Sequence, residues 1–189
     1  YEDGFRVLQG KREYVTYQDD ASVRVWYSDV PWQYDLHDHS AVEILLTLEG
    51  SVTYTVEDIV YQVRKGEVLI IPPDTLHSLS MGEESSRYLF LFEPEGILSM
   101  RDIKTMTPHF HRPFHLRDGS EAHVRIRELL LKIRDAYEKR ELMWNTVCYS
   151  YLLLDNIYNE YCTRQTGHIS NRAKVLFEFL TLTCDLPFL

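Results

Sequence analysis

The fold is decided by the stretch His37-Asp38-His39-Ser40-Ala41-Val42-Glu43, which places two imidazoles and a carboxylate at positions i, i+2 and i+6. Successive side chains of a β-strand point to opposite faces, so on a single strand these three groups share one face. Polar groups that point into a β-barrel are unfavourable unless they are paired, hydrogen-bonded or bound to a metal. The stretch therefore predicts either a binding site or an internal polar network.

Short β-type runs separated by turn residues surround this stretch. The runs are Val23–Tyr27, Val42–Leu48, Ser51–Val56, Ile59–Val63, Glu67–Ile71 and Arg87–Phe92. Turn residues such as Gly50 and the Pro72-Pro73-Asp74 segment lie between them. This spacing predicts an antiparallel sandwich or barrel over residues 1–118, with an arm or edge strand before Val23 and an irregular connection from Gly96 to Arg117.

Helical periodicity begins at Asp118. The segment Asp118-Gly119-Ser120-Glu121 is typical of a capping box, and apolar residues then recur at helical spacing. A second helix begins near Leu142, and its apolar positions form a seam of alternating three- and four-residue steps. The seam residues are Trp144, Val147, Tyr151, Leu154 and Tyr158. We therefore predict an antiparallel helical hairpin over residues 119–162 that dimerises through this seam.

The segment after the hairpin changes character again. Residues 163–171 are polar and lack periodicity, which is typical of a linker. A third helix is predicted within residues 172–189. The chain ends on the apolar cluster Leu186-Pro187-Phe188-Leu189, so we expect that this last segment begins a truncated further domain.

The spacing of these residues resembles the two motifs of the cupin family. The matching residues are His37, His39, Glu43 and Gly50 for the first motif, and Gly66, Pro72 and His77 for the second. Other residues stand at three motif positions: Pro31 and Asp74 at the two glycines, and Met81 at the closing Asn. The resemblance implies a cupin barrel in which His37, His39, Glu43 and His77 bind a divalent ion such as Zn, Ni, Mn or Fe.

A cupin followed by a helical hairpin, a polar linker and a further helix resembles the AraC-type transcription regulators. The resemblance implies that the barrel binds a small effector, which is sugar-like in some members, and that the hairpin dimerises. It also implies that DNA is bound only by helix-turn-helix units absent from this chain. The first hypothesis is therefore that this chain is the effector-sensing and dimerisation domain of such a regulator. The alternative is a cupin metalloenzyme of the isomerase or dioxygenase type.

Several of these candidate site residues also have a simpler structural interpretation. His37, His39, Glu43 and His77 could line an effector pocket that holds no metal. Trp26 and Tyr88 lie on predicted strands and could line the same pocket or pack in the core. The residues His109, His111 and His115 repeat the i, i+2, i+6 spacing, but Pro108 and Pro113 favour a loop with surface histidines.

Composition excludes several classes of function. The net charge is −9 and the basic residues are scattered, so this chain alone should bind DNA poorly. No stretch of about 18 apolar residues predicts a membrane span. The three cysteines form no CxxC pair, which favours reduced thiols and a cytoplasmic protein. No nucleophile elbow, P-loop or dinucleotide motif is present, so we expect a sensor and not an enzyme.

Overall fold

The computed structural model describes residues 7–17, 22–106, 110–117, 119–139 and 143–166, without the side chains of residues 143, 144, 165 and 166. The strands are β1 (Val7–Gln9), β2 (Arg12–Tyr14), β3 (Val23–Ser28), β4 (Trp32–His37), β5 (Val42–Glu49), β6 (Ser51–Val56), β7 (Ile59–Arg64), β8 (Val68–Ile71), β9 (His77–Met81), β10 (Ser86–Phe92) and β11 (Phe114–Leu116). The helices are α1 (Pro94–Ile97), α2 (Met100–Met106), α3 (Glu121–Glu138) and α4 (Met143–Thr166).

Two antiparallel sheets form a cupin-like β-sandwich. The larger sheet has the strand order β11-β8-β5-β10-β3, and the smaller sheet has the order β4-β9-β6-β7. A separate two-stranded hairpin is formed by β1 and β2. The arrangement confirms the predicted fold class, a cupin barrel followed by a helix pair.

The sequence explains why the central strands lie where they do. Strands β5 and β8 read as nearly continuous apolar runs, and they are buried on both faces in the larger sheet. Strand β6 instead alternates Thr and apolar residues, and only its apolar positions are buried. The core between the sheets contains Leu45, Tyr54, Leu69 and Leu79, each at most 5% exposed.

The turn between β5 and β6 requires a glycine. Gly50 has φ +64°, a conformation that residues with a side chain rarely adopt. A Cβ atom at this position would lie 2.4 Å from the hydroxyl oxygen of Ser85. The Gly of the first motif is therefore explained by both backbone conformation and close packing.

The described residues divide into two compact units, one within residues 1–97 and 111–119 and one within residues 98–110 and 120–189. In the second unit, α3 and α4 pack against each other. The side chain of Ser120 caps α3 by accepting a hydrogen bond from the backbone N–H of His123 at 3.3 Å. The Lys132 ammonium lies 5.4 Å from the ring centre of Tyr149, which adds a cation–π contact between the two helices.

Several predicted boundaries differ from the observed ones. Helix α3 begins at Glu121 and is capped by Ser120, whereas the hairpin was predicted to begin at residue 119. Asp118, the first residue of the predicted capping box, lies outside the described residues. The predicted irregular connection contains the short helices α1 and α2, and residues 98–110 belong to the helical unit and not to the barrel.

The predicted linker over residues 163–171 begins too early. Helix α4 continues to Thr166, because polar residues near its end bond within the helix: the Thr163 hydroxyl donates to the Asn159 carbonyl at 2.9 Å, and Arg164 pairs with Glu160 at 2.7 Å. The rest of the predicted linker and the segment 172–189 lie outside the described residues.

Candidate ligand and metal site

The site lies where the chain crosses from one sheet to the other. His37 ends β4 in the smaller sheet, and Glu43 lies in β5 of the larger sheet. Residues 38–41 make the crossing and belong to no extended strand. The prediction that His37, His39 and Glu43 share one strand was therefore wrong, although their side chains do converge. They converge because the two sheets face each other across the barrel.

Hydrogen bonds from the first hairpin hold the crossing in place. The backbone N–H of Asp38 donates to the Lys11 carbonyl at 3.0 Å, and the N–H of Glu13 donates to the Asp38 carbonyl at 2.8 Å. The Arg12 guanidinium contacts the carboxylates of Asp38 at 2.7 Å and Asp74 at 2.5 Å. The crossing is thus fixed by β2 and by the loop that precedes β9.

The fourth group of the cluster comes from β9. His77 pairs in register with His37 on β4, and their ring centres are 4.2 Å apart. One donor atom from each of His37, His39, Glu43 and His77 lies within 4.8 Å of the others. All four residues are at most 3% exposed. The sequence therefore identified a real buried cluster.

The loop before His77 contains the motif position at which Asp74 replaces glycine. Asp74 has φ +57°, the left-handed conformation that glycine would adopt most easily and that Asp tolerates. Its backbone N–H donates to the His39 carbonyl at 2.8 Å. The replacement therefore preserves the loop geometry and ties it to the cluster.

The three imidazoles are oriented in the same way. Each Nδ1 lies within hydrogen-bonding distance of a backbone carbonyl two residues away: Asp35 for His37 (2.8 Å), Ala41 for His39 (3.1 Å) and Thr75 for His77 (2.7 Å). A carbonyl can only accept, so Nδ1 carries the proton and a neutral ring leaves its Nε2 lone pair free. The Nε2 atoms of His39 and His77 lie 3.0 and 3.4 Å from Oε2 of Glu43.

The carboxylate of Glu43 is held by three neighbours. Beside the two histidines, the Tyr54 hydroxyl donates to Oε1 of Glu43 at 2.6 Å. Burial alone would raise the pKa of Glu43, but the charges of His77 and His39 in their protonated form and the hydrogen bond with His39 outweigh it and hold this pKa well below its ordinary value. Burial and the nearby Glu43 raise the pKa of Tyr54 well above its ordinary value. The pair is therefore an ionised carboxylate and a protonated phenol.

These residues fit a divalent metal. Nε2 of His77 is buried and has no hydrogen-bond partner among the described residues, as expected of an atom placed to coordinate. Three imidazoles and one carboxylate are a common donor set for Zn, Ni, Mn and Fe, and backbone carbonyls on Nδ1 are the outer contacts that orient metal-binding histidines. A divalent cation supplies Lewis acidity, which polarises a bound oxygen atom.

A narrow pocket open to solvent adjoins the cluster, and its free volume of about 10 Å³ is roughly that of one water molecule. Its polar lining includes Glu13, His37, His39, Glu43 and Arg87, and its apolar lining is Trp26, Tyr34, Leu79, Leu89 and Leu91. Oε2 of Glu13 lies 3.5 Å from Nε2 of His37, so the first hairpin contributes a second carboxylate at this site. The arrangement provides apolar walls with a few convergent polar groups, which is typical of a small-molecule site.

The two predicted aromatic lining residues differ in position. Trp26 lies on β3 opposite Leu89 and lines the cavity. Tyr88 does not line this cavity and lies near Tyr27 and Phe90, with ring centres 5.5 and 6.1 Å away. Neighbouring residues on β10 point to opposite faces, so Tyr88 cannot share the inner face with Leu89.

The predicted dimerisation residues of α4 differ in how far they are exposed. Leu154 is 1% exposed within the single chain. Its burial leaves it unavailable to a second chain, whereas Val147, Tyr151 and Tyr158 are partly exposed. The side chain of Trp144 lies outside the described residues.

The second histidine set is not assembled. His115 lies on β11, where its Nε2 is 2.9 Å from Oε2 of Glu67, and His111 precedes that strand and is exposed. His109 lies outside the described residues. In the described part of this set, His115 forms a hydrogen bond with Glu67, and no metal cluster is assembled there.

Six lining residues were missing from the predicted site: Glu13, Tyr34, Arg87 and the three leucines Leu79, Leu89 and Leu91. Tyr34 comes from β4, which was not predicted, and Glu13 comes from β2, within the predicted arm or edge strand. Arg87 alternates with Leu89 and Leu91 on the predicted strand Arg87–Phe92. Because alternate residues of a strand share one face, this pattern places the charged Arg87 on the same inner face as the leucines. That charge on an inner face was the signal that could have identified Arg87 as a site residue.

None of the helices in the described ranges is both long enough and apolar enough to cross a membrane.

Comparisons with known proteins place this geometry in a family. No curated protein matches the sequence. Similar solved structures include a conserved protein of unknown function from Streptococcus pyogenes (22% identity over 39% of this chain and 64% of that one, TM-score 0.35). They also include a cupin-2 domain containing protein from Shewanella frigidimarina (20% identity, 40% and 72%, TM-score 0.35) and an oxalate decarboxylase variant from Bacillus subtilis (23% identity, 42% and 22%, TM-score 0.34).

At these identities and TM-scores the likeness says nothing about what this chain binds or does. The chain spans less than two thirds of the length of the Streptococcus protein and about a fifth of the decarboxylase. Residues 26–143, more than half of the chain, match the family model described as AraC-like ligand binding domain. This match includes the strands that carry the cluster, all of α3, and every residue that lines the cavity except Glu13. The chain therefore belongs to the family of AraC-like ligand binding domains.

Proposed function

We propose that this domain senses a small-molecule effector in the barrel and transmits its presence to a DNA-binding unit of a transcription regulator. One observation carries the proposal. The family match coincides with a cavity in which polar groups converge at one end of apolar walls. A sensor needs a site of this kind, because apolar contacts supply affinity and a few fixed polar groups supply selectivity.

The route of transmission follows from the same family. An effector can shift an equilibrium only if it binds one arrangement of the protein better than another. We propose that the helix pair α3–α4 forms the contact between two copies, through Val147, Tyr151 and Tyr158. This part of α4 remains partly exposed in the single chain and follows a coiled-coil spacing. The effector then biases how two DNA-binding units are presented.

Light scattering of the purified chain at micromolar concentration tests the proposal. We expect a dimer, and we expect candidate effectors to change its stability or its dissociation constant. A monomer that no effector changes would contradict the dimer and the sensing role together. The coding sequence beyond Leu189 supplies a separate test, since two helix-turn-helix patterns are expected there.

A cupin metalloenzyme is the second candidate, and the four-residue donor set favours it. Metal analysis of protein purified without added metal distinguishes the two. A stoichiometric ion together with turnover of a substrate favours the enzyme, whereas an empty site in a protein that still binds effector removes it.

The substitution Glu43→Gln tests metal binding separately from effector binding. The amide keeps the shape of the side chain but removes the charge that a divalent ion requires, so we expect the metal affinity to fall at least about tenfold. Glu67→Gln is the matched control, because Glu67 also pairs with a histidine but lies outside the cluster. If Glu43→Gln binds metal as tightly as the wild type, the cluster is not the metal site.

A further inference from the structure

Arg87 is a buried cation that the cluster does not use. Its side chain is 2% exposed, and its Nε and Nη1 atoms have no hydrogen-bond partner among the described residues. A buried guanidinium without a partner is strongly unfavourable, because the charge has lost water and gained nothing in exchange. Such a group calls for a partner from outside the chain.

The guanidinium faces the cavity. Arg87, Leu89 and Leu91 occupy one face of β10, and all three line the cavity. In register, Leu91 lies beside Glu43 and Arg87 lies beside Thr47, four residues further along β5. At about 3.3 Å per residue, the two levels are roughly 13 Å apart along the strand, and the long Arg side chain covers part of that distance.

The carboxylates of the barrel are engaged elsewhere. The two oxygens of Glu43 are held by Tyr54 and His39, and Glu13 lies against His37. The Thr47 hydroxyl beside Arg87 donates to the Val63 carbonyl at 3.1 Å. The positive charge of Arg87 nevertheless acts on the Tyr54 hydroxyl, whose pKa it lowers against the larger effect of burial. The cation and the cluster therefore share one cavity without forming an ion pair.

We propose that the effector is a small organic anion whose carboxylate pairs with Arg87 in this pocket. This inference rests on the proposed sensing function and names its ligand class. A guanidinium and a carboxylate match in charge and in planar geometry, and charge-assisted hydrogen bonds are about twice as strong as neutral ones. Leu89 and Trp26 lie along the wall near Arg87 and suit a short carbon skeleton.

Thermal unfolding with matched probes tests the ligand class. Acetate, benzoate and succinate are compared with acetamide, benzamide and succinamide, each at millimolar concentration, and neutral monosaccharides form a third group. We expect the carboxylates, and not the amides, to raise the Tm of the wild type. Arg87→Met should lower the carboxylate affinity at least about tenfold, as loss of one charged hydrogen bond predicts. Arg87→Lys should recover part of it.

Two controls locate the effect. Arg64→Met removes an exposed arginine of the same barrel and should leave the carboxylate response unchanged. Each measurement is made with zinc-loaded and with EDTA-treated protein, because an anion held only by a metal would bind Arg87→Met as well as the wild type. That last result would overturn the role of Arg87.

The outcomes also separate this inference from the sensing function. If monosaccharides raise the Tm and carboxylates do not, the anion class is wrong while effector sensing stands. Absence of any carboxylate response in the wild type overturns the inference, whatever the variants do. Support further requires that Arg87→Met without ligand be at least as stable as the wild type, because the variant removes an unpaired buried charge.

Discussion

Tyr54 illustrates how a single hydroxyl can hold a site in place. It is fully buried, and its hydroxyl donates a hydrogen bond to Glu43. The Glu43 carboxylate also contacts His39 and His77 of the cluster. Removing the hydroxyl leaves that carboxylate oxygen without a donor in a buried environment. The rest of the tyrosine ring continues to pack in the core.

Tyr54→Phe should lower the free energy of unfolding by about 1–3 kcal/mol, the usual contribution of a hydrogen bond to a charged group. Urea denaturation of the metal-free protein measures it. Tyr61→Phe is the control, because Tyr61 is half-buried on the edge strand β7 and its change should lie within about 0.5 kcal/mol of zero. Equal effects of the two substitutions would mean that the hydroxyl of Tyr54 contributes nothing specific.

His115 gives the barrel a pH dependence outside the cluster. Burial lowers its pKa below 6.5, and the hydrogen bond to Glu67 opposes this shift only in part. The folded protein therefore binds this proton less readily than the unfolded chain. Its contribution to stability is complete above pH 6.5 and is lost as the pH falls through the lower, folded-state pKa.

The stability difference between wild type and His115→Gln should thus shrink as the pH falls below 6.5. All other titrating groups are common to the two proteins, so the difference isolates His115. Denaturant titrations at a series of pH values measure it. A difference that widens on acidification would show that protonated His115 is stabilised by Glu67.

The residues of the cluster could be predicted because their spacing along the sequence forms a recognisable pattern. His37, His39 and Glu43 lie close in sequence, and His77 follows a turn with a recognisable pattern. For Arg87, the alternation of β10 could indicate an inner-face position, but the sequence could not show that two nitrogens of its guanidinium lack a partner among the described residues. Its significance lies in the absence of a partner, and that absence depends on every neighbouring strand.

Among the elements, the strands next to the crossing were the hardest to predict. Strand β4 mixes polar, aromatic and apolar residues, and four of its six positions are exposed. Strand β9 is short and contains two serines. Strand β4 shows neither the alternation nor the apolar run by which strands are recognised, and β9 alternates over only five residues. The runs from β5 to β8 and β10 were recognised within a residue or two.

Helix α4 allows the dimer to be tested at one position. Tyr151→Glu places a charge on the partly exposed face that we assign to the partner chain, and it should convert a dimer into a monomer. Light scattering measures the mass, and circular dichroism checks that the helix remains. Val124→Glu is the matched control, because Val124 is on α3 and 45% exposed. If the control dissociates the dimer and Tyr151→Glu does not, the interface has been assigned to the wrong helix.

The charge of the whole molecule sets a limit on its partners. With a net charge of −9, the chain repels the phosphates of DNA, and few lysines or arginines are available to displace counterions. In a mobility-shift assay with duplex DNA at low salt, this chain should produce no shifted band. A shift that weakens with added salt would reveal a basic surface that the sequence does not suggest, and would place DNA binding within the barrel or the helices.

The tryptophan on the wall of the cavity makes the protein its own optical probe. Of the three tryptophans, Trp26 lines the cavity with the Arg24 guanidinium 5.2 Å from its ring centre, whereas Trp32 is 44% exposed. An indole enclosed by protein emits at shorter wavelength than one in water, and a molecule entering the cavity would displace water beside it. In a protein with Trp32 and Trp144 replaced by Phe, the emission spectrum would therefore report occupancy directly, without a label and without knowledge of what has entered.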